Sequence, residues 1–196
     1  MKITPSELNE KIVQMNANGD LSPLLELTRE INQEFAESHD WNGMDAFYRE
    51  AIQQAVAPER YSQILETTFS DFQDSLQTAL QEAWDNAKNN PEVVAIYYEY
   101  EQGFSSFFLC TTYDEDDGWI CDHVETVDGP DYQDPAFDEE MEMLDEVPAC
   151  YTVDAYSEAQ TVSALGRAAQ RVSMDFPLAC AMHDKPLIYL IHGVVE

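Results

Sequence analysis

"EVVAIYYEYEQGFSSFFLCTTY", residues 92–113, is where the chain changes character. Its two halves, EVVAIYYEY and FSSFFLCTTY, are rich in β-branched and aromatic residues, and Glu-Gln-Gly between them suits a compact turn. The pattern predicts a β-hairpin. Apolar residues fall on both faces of both strands, so the hairpin is expected inside a larger sheet, with one face under a helix.

Upstream, residues 1–90 read as about four helices. In "TPSE", Thr4 is placed as an N-cap, Pro5 at the first helical position and Glu7 three residues on, which is a capping box. Ile3, Leu8, Ile12 and Met15 form the apolar stripe, which ends at Gly19. Ser22 and Pro23 open a second helix that buries Leu24, Leu27, Ile31 and Phe35, and a third covers Met44 to Val56. From Pro58 the apolar positions Tyr61, Leu65, Phe69, Phe72, Leu76, Leu80 and Ala83 recur at helical spacing for about seven turns. This longest stripe belongs against a sheet or a bundle, and it stops at Pro91, which disfavours helical geometry in Asn90.

Downstream, Ser157 and Gln160 suggest a second capping box, opening a helix at about 157–172. An apolar segment, "PLACAM", then leads through the polar turn "HDKP" to a strand at Leu187–Val194. The expected class is α+β: a helical N-terminal half packed on a mainly antiparallel β-sheet, with one further helix and a C-terminal strand. The 196 residues suit one domain, 1–196, in which a helical subregion (1–90) precedes a β-rich subregion (91–196) carrying an acidic insert at 113–147. At 44% hydrophobic and 11% aromatic, the chain has the apolar mass for a core that a disordered acidic chain lacks.

Charge is the dominant feature. Nine basic against thirty-nine acidic residues give a net charge of −30. Such a field repels nucleic acid as a direct ligand and attracts cationic partners, whose encounter it can accelerate to about 10⁸–10⁹ M⁻¹s⁻¹ at low salt. The distribution is uneven: between Asn89 and Gly166, 78 residues hold twenty Asp or Glu and no Lys or Arg. The insert alone carries fifteen carboxylates. They are interleaved with Trp119, Ile120, Val124, Tyr132, Phe137, Met141 and Leu144, anchors that a purely solvating tail does without. "GWICDHVETV" alternates well enough for a short strand, and a helical turn or two is expected after Pro135, capped by Asp134.

Motifs for chemistry are missing. The seven glycines are too scattered for a phosphate-binding loop, and neither GxSxG nor HExxH occurs. "DEDDG" has the flavour of a calcium loop, but with Gly118 as its sixth position the first and twelfth are Tyr113 and Val124, and the frame fails. Cys121, Asp122 and His123 need further ligands, such as Cys110 or Cys150, before zinc enters, and no spacing signature supplies them. His39, His123, His183 and His192 lie in no motif. No catalytic residue, metal ligand or cofactor site is therefore assigned, and no enzyme is expected. Cys110, Cys121, Cys150 and Cys180 are widely spaced, the first residues are polar, and no apolar run approaches the ~18 residues of a membrane span. A reducing cytoplasm, with no membrane contact, is the expected setting.

What remains is binding. Aromatic anchors ringed by one sign of charge suit a high-affinity electrostatic interface. The candidate partner-binding residues are Asp114, Glu115, Asp116, Asp117, Trp119, Asp131, Tyr132, Asp134, Phe137, Asp138, Glu139, Glu140 and Glu142. The expected partner is a basic protein, a toxin or another cationic client, which this chain neutralises or escorts. In general character (small, strongly acidic, α+β) the chain resembles the immunity proteins of bacterial toxin systems, a resemblance of composition that assigns no residue. Three alternatives stand beside it: a DNA mimic of anti-restriction type, a chaperone or adaptor for a basic secreted client, and a hydrolase with a carboxylate site. Oligomeric state stays open.

Overall fold

A computed structural model describes residues 3–20, 22–66, 70–101, 103–113, 122–131 and 147–192. The elements run α1 (Pro5–Asn18), α2 (Ser22–Ser38), α3 (Trp41–Ala55), α4 (Pro58–Glu66), α5 (Ser70–Asn89), β1 (Ala95–Glu101), β2 (Phe104–Cys110), β3 (His123–Asp128), α6 (Val147–Arg171), β4 (Leu178–Met182) and β5 (Ile188–Ile191). The class is α+β, as the sequence predicts. The chain divides into two compact units. One gathers residues 1–69 and 133–163, the other residues 70–132 and 164–196, so that α6 contributes to both.

In the first unit, local signals set the helix ends. Thr4 and Glu7 form the predicted capping box: the Glu7 amide donates to Thr4 Oγ1 at 3.2 Å, and Glu7 Oε2 accepts from the Thr4 amide at 2.7 Å. That backbone hydrogen bond, first among the causes, holds the Glu7 carboxyl below its ordinary value. Asp40 caps α3 by accepting from the Gly43 amide at 2.9 Å. A Cβ on Gly43 would sit 2.1 Å from Asp40 Oδ2, so a side chain there would displace the capping carboxylate. α3 packs on α1, α2 and α4, and Leu8, Ile12, Met44, Tyr48 and Ile52 are fully buried.

The first part of α6 is held to this unit by polar contacts across long sequence distances. Thr152 Oγ1 donates to Asn9 Oδ1 at 2.9 Å, and Asn9 Nδ2 donates to the Ala51 carbonyl at 2.9 Å. Asp45 Oδ1 accepts from both Gln160 Nε2 (3.1 Å) and Ser163 Oγ (3.0 Å). Tyr48 Oη donates to Asn32 Oδ1 at 2.8 Å, and burial, with the Glu158 carboxylate second, pushes the Tyr48 hydroxyl well above its ordinary range.

The second unit is built on a five-stranded sheet of order β3-β2-β1-β4-β5. Three pairings are antiparallel and one, β1 with β4, is parallel, so the sheet is mixed but mainly antiparallel. The hairpin closes at Gly103, whose φ of 76° lies in the left-handed region open to glycine. α5 lies along β1, β2 and β3, with Leu76, Leu80, Ala83 and Ala87 buried. Trp84 packs on Phe176 at 5.5 Å, Asn86 Nδ2 donates to Glu125 Oε1 at 2.9 Å, and Arg171 Nη1 donates to Gln77 Oε1 at 2.6 Å.

The stripe read from Pro58 falls on α4 and α5, with residues 67–69 outside the described residues. Two expectations need correcting. The late helix starts at Val147, about ten residues before the predicted cap, and Ser157 is fully buried in its interior. From Thr152 to Ala169 every residue but Asp154 and Arg167 is buried, so a helix covered on nearly all sides shows no stripe to mark its start. The C-terminal strand is shorter than predicted, Ile188–Ile191, and residues 193–196 lie outside the described set.

The Asp45 node gives a stability test. Asp45→Ala removes the acceptor shared by a buried amide and a buried hydroxyl, and is expected to cost about 1–3 kcal/mol in urea unfolding. A midpoint unchanged from the parent's would show that the node contributes nothing.

Candidate functional site

Strand periodicity separates the sheet into two faces. Ile96, Tyr98 and Tyr100 of β1 point with Phe107 and Leu109 of β2 and Val127 of β3 to the face that α5 covers, and all are buried. Tyr98 is tight here: its ring lies 4.6 Å from Phe107, and burial raises its hydroxyl far above the ordinary range.

The opposite face is different. Register places Thr126, Phe108, Tyr97, Ala179 and Tyr189 in one row across all five strands. Tyr97 and Phe108 stack at 5.9 Å with 24° between their planes, and the His123 ring meets Phe108 edge-on at 5.0 Å. Tyr189 stacks on His192 at 5.5 Å. Tyr97, Phe108 and Tyr189 are half-buried, and His123 and His192 are exposed, so aromatic surface reaches solvent.

Carboxylates frame these rings. The next row along is Asp128, Ser106, Glu99 and Ala181. Glu101, Asp122, Asp128 and Asp131 are exposed and Glu99 is half-buried, whereas Glu125, the register partner of Leu109, lies on the α5 side of the sheet beside Asn86. Glu99 Oε1 lies 2.6 Å from Nδ1 of His183, which follows β4, and Asp184 Oδ2 lies 3.7 Å from Nε2 of the same ring. The pair exists because β1 and β4 run parallel: the His183 amide donates to the Tyr100 carbonyl at 2.9 Å, setting the imidazole beside Glu99. The hydrogen bond to Glu99, then the charge of Asp184, raise the His183 pKa above its ordinary 6.5.

Of the thirteen residues predicted from the sequence, Asp131 is described, exposed, just beyond β3. Asp114, Glu115, Asp116, Asp117, Trp119, Tyr132, Asp134, Phe137, Asp138, Glu139, Glu140 and Glu142 lie outside the described residues, as do the calcium-loop segment "DEDDG" and the turn expected after Pro135. β3 itself realises the second half of the strand predicted in "GWICDHVETV". Sequence reasoning missed Tyr97, Glu99, Phe108, His183 and Tyr189. Alternation in "AIYYEYE" was a usable signal for Tyr97 and Glu99, whereas the His183 contact depends on a pairing no local pattern announces.

Among the described residues, no three His, Cys, Asp or Glu side chains converge as metal ligands. Cys110 is buried, its Sγ 3.3 Å from the Phe108 carbonyl. No described helix is long and apolar enough to cross a membrane. Compared with protein-family models, curated proteins and solved structures, the chain matches none.

The Glu99–His183 contact is testable by titration. Because folding raises the His183 pKa, its stabilising contribution is full below pH 6.5 and fades as pH rises through the raised value. In an NMR titration the His183 ring should change charge above pH 6.5 in the parent and at a lower pH in Glu99→Gln. Equal midpoints in the two proteins would contradict the contact.

Proposed function

We propose that this is an acidic binding protein that neutralises or escorts a basic protein, in the manner of an immunity or inhibitor protein of a bacterial toxin system. The observation that carries the reading is the coincidence of the half-buried rings of Tyr97 and Phe108 with the carboxylates of Glu99, Glu101 and Asp128 on one sheet face, within a 78-residue window free of Lys and Arg. Interfaces concentrate affinity in a few aromatic anchors and take specificity and approach rate from charge. A partner's guanidinium can lie over Tyr97 or Phe108 while its N–H groups reach Glu99 or Asp128. Such a cation–π contact contributes about 0.5–2 kcal/mol according to its desolvation. Exposed ion pairs add ~0–1 kcal/mol each, so the rings anchor and the acids steer.

Within the protein His183 competes for Glu99, and Lys and Arg are few. Arg29 pairs with Glu26 at 2.5 Å, and Lys88 with Asp85, each within its own helix. The carboxylates of β3 and its flanks have no such neighbour in their part of the sequence.

The immobilised protein should retain a basic protein from lysate at low salt and release it as ionic strength rises. The double variant Glu99→Arg/Asp128→Arg should lower retention at least about tenfold with far-UV circular dichroism unchanged. A second variant, with Asp138, Glu139, Glu140 and Glu142 changed to Lys, measures the share of the acidic insert. The reading fails if no basic protein is retained, or if neither variant changes retention.

A further inference from the structure

β3 is an edge strand. β2 pairs with its inner side, and among the described residues no strand pairs with its outer side. The ladder fixes which backbone groups point outward. The Gly129 amide donates to the Ser105 carbonyl at 2.8 Å, which makes that a hydrogen-bonded pair. Alternation makes Phe107–Val127 the next one, so the N–H and C=O groups of Thr126 and Asp128 point away from β2. Val124 (47% exposed), Glu125, Thr126 and Asp128 are all exposed, so solvent reaches the strand along its length.

An exposed edge is a template for another strand unless something blocks it. The devices on this one are selective. Carboxylates recur at Asp122, Glu125, Asp128 and Asp131, every third residue, or about 10 Å apart along an extended chain. A second copy of the chain would set like charges opposite one another and be repelled. A strand bearing Lys or Arg would meet opposite charge instead, and β3 itself holds neither proline nor Lys or Arg to oppose it.

We propose that the outer edge of β3 accepts an extended, Lys- or Arg-bearing segment of the basic partner as a sixth strand beside the five present. The proposal rests on the basic-partner reading and adds its mode. The outward groups of Thr126 and Asp128 supply main-chain hydrogen bonds, the carboxylates select for charge, and the added strand extends the row of Thr126, Phe108 and Tyr97. The open aromatic face and the edge thus form one continuous surface.

The test uses the full chain and an alternating lysine–valine octapeptide. Thr126→Pro removes an outward N–H while leaving the β2 ladder intact, and Thr126→Val keeps that N–H. Peptide affinity should fall at least about tenfold in Thr126→Pro and stay within about twofold in Thr126→Val. Hydrogen exchange of the Thr126 and Asp128 amides should slow by at least about tenfold in the peptide complex of the parent. Salt-sensitive binding that persists in Thr126→Pro, with exchange of both amides unchanged in the parent, overturns strand addition and leaves the basic-partner reading standing. Self-association of the parent through this edge, lost in Thr126→Pro by sedimentation, also overturns it, in favour of a second copy.

Discussion

Burial of one face of β1 beneath α5 is the constraint on which the rest of the sheet unit depends. Ile96, Tyr98 and Tyr100 are fully buried there, and the two-residue period of a strand then leaves Tyr97, Glu99 and Glu101 no choice of side. A slip of one residue would bury two carboxylates and expose three large apolar side chains. Register is therefore firmly held, and with it the cross-strand stack of Tyr97 on Phe108 and the parallel contact that sets His183 beside Glu99. Packing on one face determines what the other can offer.

A chain with a net charge of −30 folds against its own repulsion. The first unit meets this with a core that carries polar contacts as well as apolar ones. Asp45 is held by two donors from α6, and Asn9 is held between Thr152 and the Ala51 carbonyl. Its cations, Lys2, Lys11, Arg29, Arg49 and Arg60, are dispersed among the acids of residues 1–69. The strands β1, β2 and β3 and their described flanks have no such dispersal. Repulsion left unscreened within a protein is relieved when a cationic surface covers it, which links the uneven charge to the proposed partner.

Local chemistry was legible in the sequence. The Thr4–Glu7 box, the Gly19 end of α1 and the pairing of the β1–β2 hairpin are each written within a few residues, and each appears as read. Information that is not local was hidden. α6 is buried round its circumference, so small and polar residues such as Ala155, Ser157 and Thr161 replace the stripe that would have marked its start. Pairing of β1 with β4 joins segments about eighty residues apart, and the Glu99–His183 contact follows from it. The candidate site was legible as a charge pattern and as alternation in β1. Which rings share a face with which acids required the sheet order.

Carboxyl-to-lysine cross-linking of the complex with the retained basic protein tests the central claim most directly, because it reports which acids the partner touches. Links concentrated on Glu99, Glu101, Glu125, Asp128 and Asp131 are the predicted result. Links concentrated on Glu30, Glu34 and Glu37 of α2, with those sheet residues unmodified, would contradict it.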